Sequence, residues 1–121
     1  MDTWVHIVGG GLSGLSLASA LARRQVLPGP VVISEPEPER LAQKTFSFWL
    51  TDEEHAILNP EHTHSNWQVS TEKLTTLHTG QRFRYGTRSG KHVLDECQAV
   101  ISSHPQIHQV KEAIDAAPKA D

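Results

Sequence analysis

Six residues near the start of the chain limit what it can fold into more than any other feature. Gly9-Gly10-Gly11-Leu12-Ser13-Gly14 forms a G-x-G-x-x-G turn. An apolar run, Trp4-Val5-His6-Ile7-Val8, precedes it, and a second, Leu15-Ser16-Leu17-Ala18-Ser19-Ala20-Leu21-Ala22, follows. Further on, Val31-Val32-Ile33-Ser34 ends on Glu35. Strand, glycine turn, helix and a second strand closed by an acid make up the pattern of a dinucleotide-binding unit. Gly9 permits the tight turn out of the strand, Gly11 lets backbone approach a pyrophosphate, and Gly14 lets the helix pack closely on the strand. The helix N-terminus offers N–H groups and a positive dipole end to the phosphates. Glu35 would accept hydrogen bonds from the adenosine ribose. An acid at that place disfavours a 2′-phosphate, so FAD or NAD is expected rather than NADP. The candidate cofactor-binding residues are therefore Gly9, Gly10, Gly11, Leu12, Ser13, Gly14 and Glu35. The competing explanations are an ordinary structural glycine turn and a strand-end acid facing solvent; the strand and helix context and the spacing of Glu35 favour the dinucleotide site.

With 121 residues the chain suffices for one domain but is short for a complete flavoenzyme. Only two strong strands of the parallel type are legible, at residues 4–8 and 31–35. The apolar fraction of 37% is low for a chain that must close its own core, so a half-built sheet would be marginal. The expected fold is α/β: an N-terminal Rossmann-type half with an incomplete parallel sheet and an inserted, mainly β or irregular segment, as the first portion of a larger protein. Net charge is −3 and no basic stripe interleaved with aromatics is present, which excludes nucleic acid as an expected partner. Cys97 is the single cysteine, so no internal disulfide can form; a buried place on a helix is expected for it. No apolar stretch approaches the ~20 residues of a membrane span, and no basic segment precedes the first strand as in a signal peptide. A cytoplasmic protein is the expectation.

Three segments are expected along the chain: a βαβ unit over 1–42, an aromatic insert over 43–88, and a helix, a further strand and a frayed tail over 89–121. The first helix is read over 12–25, with an apolar surface wide enough to be covered on more than one side, and Pro28-Gly29-Pro30 turns the chain into the second strand. A short helical stretch at 39–43, a strand at 45–50 and a helical turn at 52–58 capped by Thr51 or Asp52 follow. Short strands are read at 67–70, 75–78 and 82–85. A helix is expected from Arg88 to about residue 102 with Val93, Cys97, Val100 and Ile101 as its stripe, then a strand at 107–110. The tail 113–121 is expected to fray.

Lys44-Thr45-Phe46-Ser47-Phe48-Trp49 follows shortly after the ribose-binding acid. In that place it resembles the lycopene cyclase family, whose members carry a basic residue and then Thr-Trp-Cys-Phe-Trp. Phe46 and Ser47 depart from that pattern; Thr45, Phe48 and Trp49 match it. Trp67 and the segment Phe83-Arg84-Tyr85 with Arg88-Ser89 extend the resemblance, which spans roughly residues 5–100; Thr87 stands where the family has isoleucine. It implies an FAD-binding protein of carotenoid biosynthesis, an enzyme whose complete form cyclises the ends of a linear polyene by acid–base chemistry beside reduced flavin without net redox change. The implied substrate is an apolar isoprenoid, with peripheral membrane contact in the complete protein. Arg88 joins the candidate cofactor residues on the flavin side, because related flavoproteins place an arginine at the start of this helix. The family's acidic catalytic motif lies downstream and has no match here, so the catalytic residues are unknown and this chain alone is expected to be inactive.

Other readings compete. A flavin monooxygenase, halogenase or isoprenoid reductase starts with a similar turn, and a truncated homologue would serve as a non-catalytic binding module that self-associates through an open sheet edge. Phe46, Phe48 and Trp49 either line a polyene channel or pack a strand on a neighbouring layer. His55, His62 and His64 have the spacing of local metal ligands, but their segment reads as loop-like and solvated histidines are the simpler account, so no metal is expected. Glu53 and Glu54 are adjacent on a helix and do not face each other, so they are read as a solvated face. Arg88 has an ordinary surface reading as well.

Overall fold

In the computed structural model, which describes residues 2–115, the chain is mixed α/β with small sheets, and it divides into two units. The first is drawn from Met1–Lys44 and Lys91–Asp121, and the second is Thr45–Gly90.

The first unit holds β1 (Val5–Val8), α1 (Leu12–Ala22), β2 (Val31–Ser34), a 3₁₀ segment at Pro38–Gln43, most of α3 (Gly90–Ile101), and the chain's last strand, β8 (Ile107–Val110). Its three strands are parallel in the order β1-β2-β8. Val31 pairs with Val5 on one side and Ile107 on the other, and Ile33 likewise with Ile7 and Gln109. Side chains alternate across a strand, so Ile7, Val31, Ile33 and Ile107 share one face. All four are buried, as are Leu15 and Ala18 of α1 and Val93, Cys97 and Ile101 of α3. These residues form the core of the unit.

The first helix differs from expectation in two respects. It stops at Ala22 instead of running to residue 25. The carbonyl of Arg24 is taken by the Nε2 of His104 at 2.9 Å, and that of Leu21 by the Arg24 N–H at 3.0 Å, which draws the chain out of the helical path. The helix is also covered on one side only. Leu15, Ala18 and Ser19 are buried, whereas Leu17 is 50% exposed.

The second unit holds β3 (Thr45–Leu50), α2 (Asp52–Leu58), β4 (His62–His64), β5 (Asn66–Ser70), β6 (Thr75–Thr79) and β7 (Arg84–Ser89). Antiparallel β3 and β4 flank β7, and β5 pairs with β6 as a separate ribbon. The expected strand at 82–85 is displaced to 84–89, and the expected helix start at Arg88 moves to Gly90. Two ladders hold 84–89 extended: Phe46 pairs with Arg88, and His62 with Thr87. The Glu61 carboxylate also accepts from the N–H and hydroxyl of Ser89 at 2.9 and 2.8 Å. The segment read as loop-like around His62 is thus a short strand. Thr51, one of the two expected caps, closes a capping box with Glu54 at the start of α2. Of the expected frayed tail, residues 116–121 lie outside the described residues. Among the described residues, no helix is long and apolar enough to cross a membrane.

Candidate functional site

The glycine turn and Glu35 meet at the C-terminal ends of β1 and β2. Gly9 leaves β1 at φ +105°, a conformation that side chains rarely adopt, and its N–H donates to the Ser34 carbonyl at 2.8 Å. A Cβ on Gly14 would collide with the Gly9 carbonyl oxygen and touch the Ile7 side chain at 3.2 Å. Helix and strand pack this closely only around glycine. Gly11 caps α1 in an extended conformation, and a Cβ there would meet nothing within 4 Å. The open space lies where backbone would approach a ligand. The first-turn N–H groups have no intrahelical acceptors, no side chain caps them, and no acid stands in the first turn. Leu12 is half-buried and Ser13 exposed at this end of the helix.

Glu35 is tied to the turn through its side chain. Oε1 accepts the Gly10 N–H at 3.0 Å, and Oε2 accepts the Glu37 N–H at 3.0 Å. The hydrogen bond from Glu37, then that from Gly10, hold its carboxyl below the ordinary value of 4.5; slight burial opposes them, and the charges of Arg40 and Lys44 add a little. A carboxylate offers about four lone-pair sites. Two are used, and two remain for hydroxyl donors such as those of a ribose. Gly10 was the least constrained glycine in the motif by spacing alone. In the fold a Cβ there would come within 2.9 Å of the Glu35 Cβ.

A cavity of about 380 Å³ opens beside these groups, lined by Leu15, Ile33, Glu35, Leu94, Gln109 and Val110 among others. Its size falls within the range of small-molecule sites. It lies at the carboxyl ends of parallel strands, where open α/β sheets bind ligands. The walls from α3 and β8 were missing from the sequence reading. A strand at 107–110 was legible, but its parallel pairing with β2 was not. That pairing sets the end of β8 level with Glu35, whose N–H donates to the Val110 carbonyl at 3.0 Å.

Arg88 belongs to the second unit, buried on β7 opposite Phe46, while the turn and Glu35 belong to the first. Trp49 packs its ring against Trp67 at 4.7 Å and Tyr85 at 4.8 Å, and Trp67 stacks on His78 at 5.9 Å. Trp49 is still 51% exposed, with Phe46 and Phe48 half-buried. His62 and His64 are exposed on β4, and His55 bonds the Thr63 hydroxyl at 2.8 Å. Among the described residues, no group of three or more metal-ligating side chains is gathered. Glu54 serves the capping box, Glu53 is exposed, and Cys97 is buried on α3. The chain matches no protein-family model, and no curated protein matches it.

Proposed function

We propose that the first unit is a Rossmann-type half-site that binds the adenosine diphosphate part of FAD, in a lycopene-cyclase-like flavoprotein of carotenoid biosynthesis. One observation carries the reading. Gly10 of the glycine turn, Leu15 of α1 and Glu35, a carboxylate with two spare acceptor sites, line one cavity at the ends of parallel strands, and α1 starts from the same turn with no side-chain cap. These residues fit the group: Gly11 leaves room for a pyrophosphate, the first-turn N–H groups of α1 donate to it, and Glu35 takes the ribose hydroxyls. The strand order β1-β2-β8, with α1 crossing from β1 to β2, supports the same assignment.

FAD, when bound in its reduced form, supplies an electron-rich ring system beside which a polyene can be protonated without net redox change. The chain's own part is to bind and orient. Glu35 fixes the ribose, the turn fixes the pyrophosphate, and the aromatic residues Phe46, Phe48 and Trp49 offer apolar surface to an isoprenoid chain. NAD has the same adenosine half and would fit the same cradle; the aromatic motif around Trp49 favours the flavin. Titration of the chain with FAD, FMN and NAD, followed by flavin fluorescence quenching and calorimetry, tests the proposal. FAD should bind and FMN, which has no adenosine, should not. Equal binding of FMN overturns the adenosine half-site, and preferential binding of NAD overturns the flavin.

A further inference from the structure

The ribbon of the second unit has an edge that the cofactor reading does not use. Among the described residues β5 and β6 pair with each other and with no further strand. A two-stranded ribbon is marginal in water by itself. The Gly80 N–H donates to the Ser65 carbonyl at 2.5 Å, and the Thr71 N–H to the Leu74 carbonyl at 2.7 Å. These two bonds fix which backbone groups of β6 turn inward. The direction alternates along an antiparallel strand, so Thr76 and His78 face β5, whereas Thr75, Leu77 and Thr79 send N–H and C=O outward. All of β6 is exposed, Leu77 by 79%. The strand carries no lysine, no glutamate, no proline and no bulge, the devices that keep an edge from pairing.

This edge complements itself. An antiparallel copy centred on Leu77 sets Leu77 opposite Leu77 and Thr75 opposite Thr79, so each outward-facing residue meets an outward-facing partner. Three such pairs exchange about six backbone hydrogen bonds. The same register sets Glu72 of the hairpin tip opposite Arg82 at the ribbon base, and Lys73 opposite the uncharged Gln81. Opposite charges meet at both ends of the seam, and like charges at neither. Thr76 falls opposite His78, which extends the face on which Trp67 already stacks on His78 at 5.9 Å. The edge of β5 is the poorer one. Its outward residues Asn66, Gln68 and Ser70 bring no apolar side chain to a seam, and Gln68 is already bonded to the Ser70 hydroxyl at 2.9 Å.

We infer that the outer edge of β6 is a homodimer interface, where two copies pair antiparallel through Thr75–Thr79 into a four-stranded sheet. The seam is small, which puts the dimer in the weak, transient class.

Cysteine cross-linking reads the register directly. Facing residues of a hydrogen-bonded pair have Cα atoms about 5.5 Å apart, within reach of a disulfide. Leu77→Cys should therefore give a disulfide-linked dimer under mild oxidation. Val69→Cys, also exposed but on β5, should stay monomeric, as should the unaltered chain, whose Cys97 is buried. Leu77→Pro removes an outward N–H and leaves the inner ladder intact. Each copy loses one seam hydrogen bond, so sedimentation velocity should show self-association weakened about tenfold or more, with an unchanged circular dichroism spectrum. Cross-linking of Leu77→Cys no faster than that of Val69→Cys overturns the inference, and this comparison decides alone if the proline variant does not fold. Self-association of equal strength in a folded Leu77→Pro chain overturns it as well. A chain that is monomeric at all concentrations assigns the edge to a different partner and also overturns it.

Discussion

Glu35 accepts two backbone N–H bonds while holding the end of a strand, and this gives it a measurable signature. Its folded-state pKa lies below that of the unfolded chain because the Glu37 and Gly10 N–H groups favour the charged form. The stability it contributes is therefore complete above the ordinary carboxylate value and is lost as pH falls through 4.5 and below. Denaturant unfolding of the wild type and Glu35→Gln should show a gap at pH 7 that narrows at pH 3; a constant gap would mean that the charge is not what matters. Ser19 makes the opposite case. Its hydroxyl is buried on α1 without a hydrogen-bond partner, and alanine is the better helix former. Ser19→Ala should stabilise the chain by about 0.5–1 kcal/mol, read from the thermal midpoint, and a loss of stability would show that the hydroxyl has a partner. The motif's spacing told which glycines to expect at the turn and which acid to expect at the strand end. It did not tell that Gly10, a free position in the pattern, is confined by the Glu35 side chain, because that contact exists only once β1 and β2 pair.

Regular elements were legible where local chemistry sufficed. The strands 45–50 and 107–110 and the helix 52–58 follow from alternation and capping, and the structure has them at those bounds. Replacing the cap in Thr51→Ala should cost about 1 kcal/mol, measured by chemical unfolding; no cost would mean that the box is not formed in solution. Elements were misread where distant partners decide. β4 exists because β7 supplies its ladder, and β7 reaches its full length because β3 pairs with all of it; no three-residue stretch signals that. The end of α1 is set across the chain. Gln106 brackets Leu27, donating to its carbonyl at 2.9 Å and accepting its N–H at 2.8 Å, while His104 holds the carbonyl of Arg24. Gln106→Ala leaves two partly buried backbone groups of Leu27 unmatched and should destabilise by about 1–3 kcal/mol. A shift below a few tenths in the same unfolding assay would show that water replaces the bracket.

At the scale of the chain, the second face of the three-stranded parallel sheet is exposed on its two outer strands, although Ser34 between them is buried. Val8 is 54% and Val110 38% exposed on it. Parallel sheets are ordinarily covered on both faces, and both outer strands present open edges. Concentration-dependent self-association is the expected outcome, read by sedimentation velocity; a monomer at all concentrations would contradict it. On the proposed reading the purified chain by itself is expected to cyclise no lycopene. What it should do is bind the cofactor. The direct measurement is calorimetric titration of FAD into the wild type and Glu35→Ala, with folding of both checked by circular dichroism. Losing hydrogen bonds to a charged acceptor is worth roughly 1.5–3 kcal/mol, so the variant should bind about tenfold to a hundredfold more weakly. Absence of FAD binding by the folded wild type, or equal affinity in the two proteins, would contradict a cofactor site built from the glycine turn and Glu35.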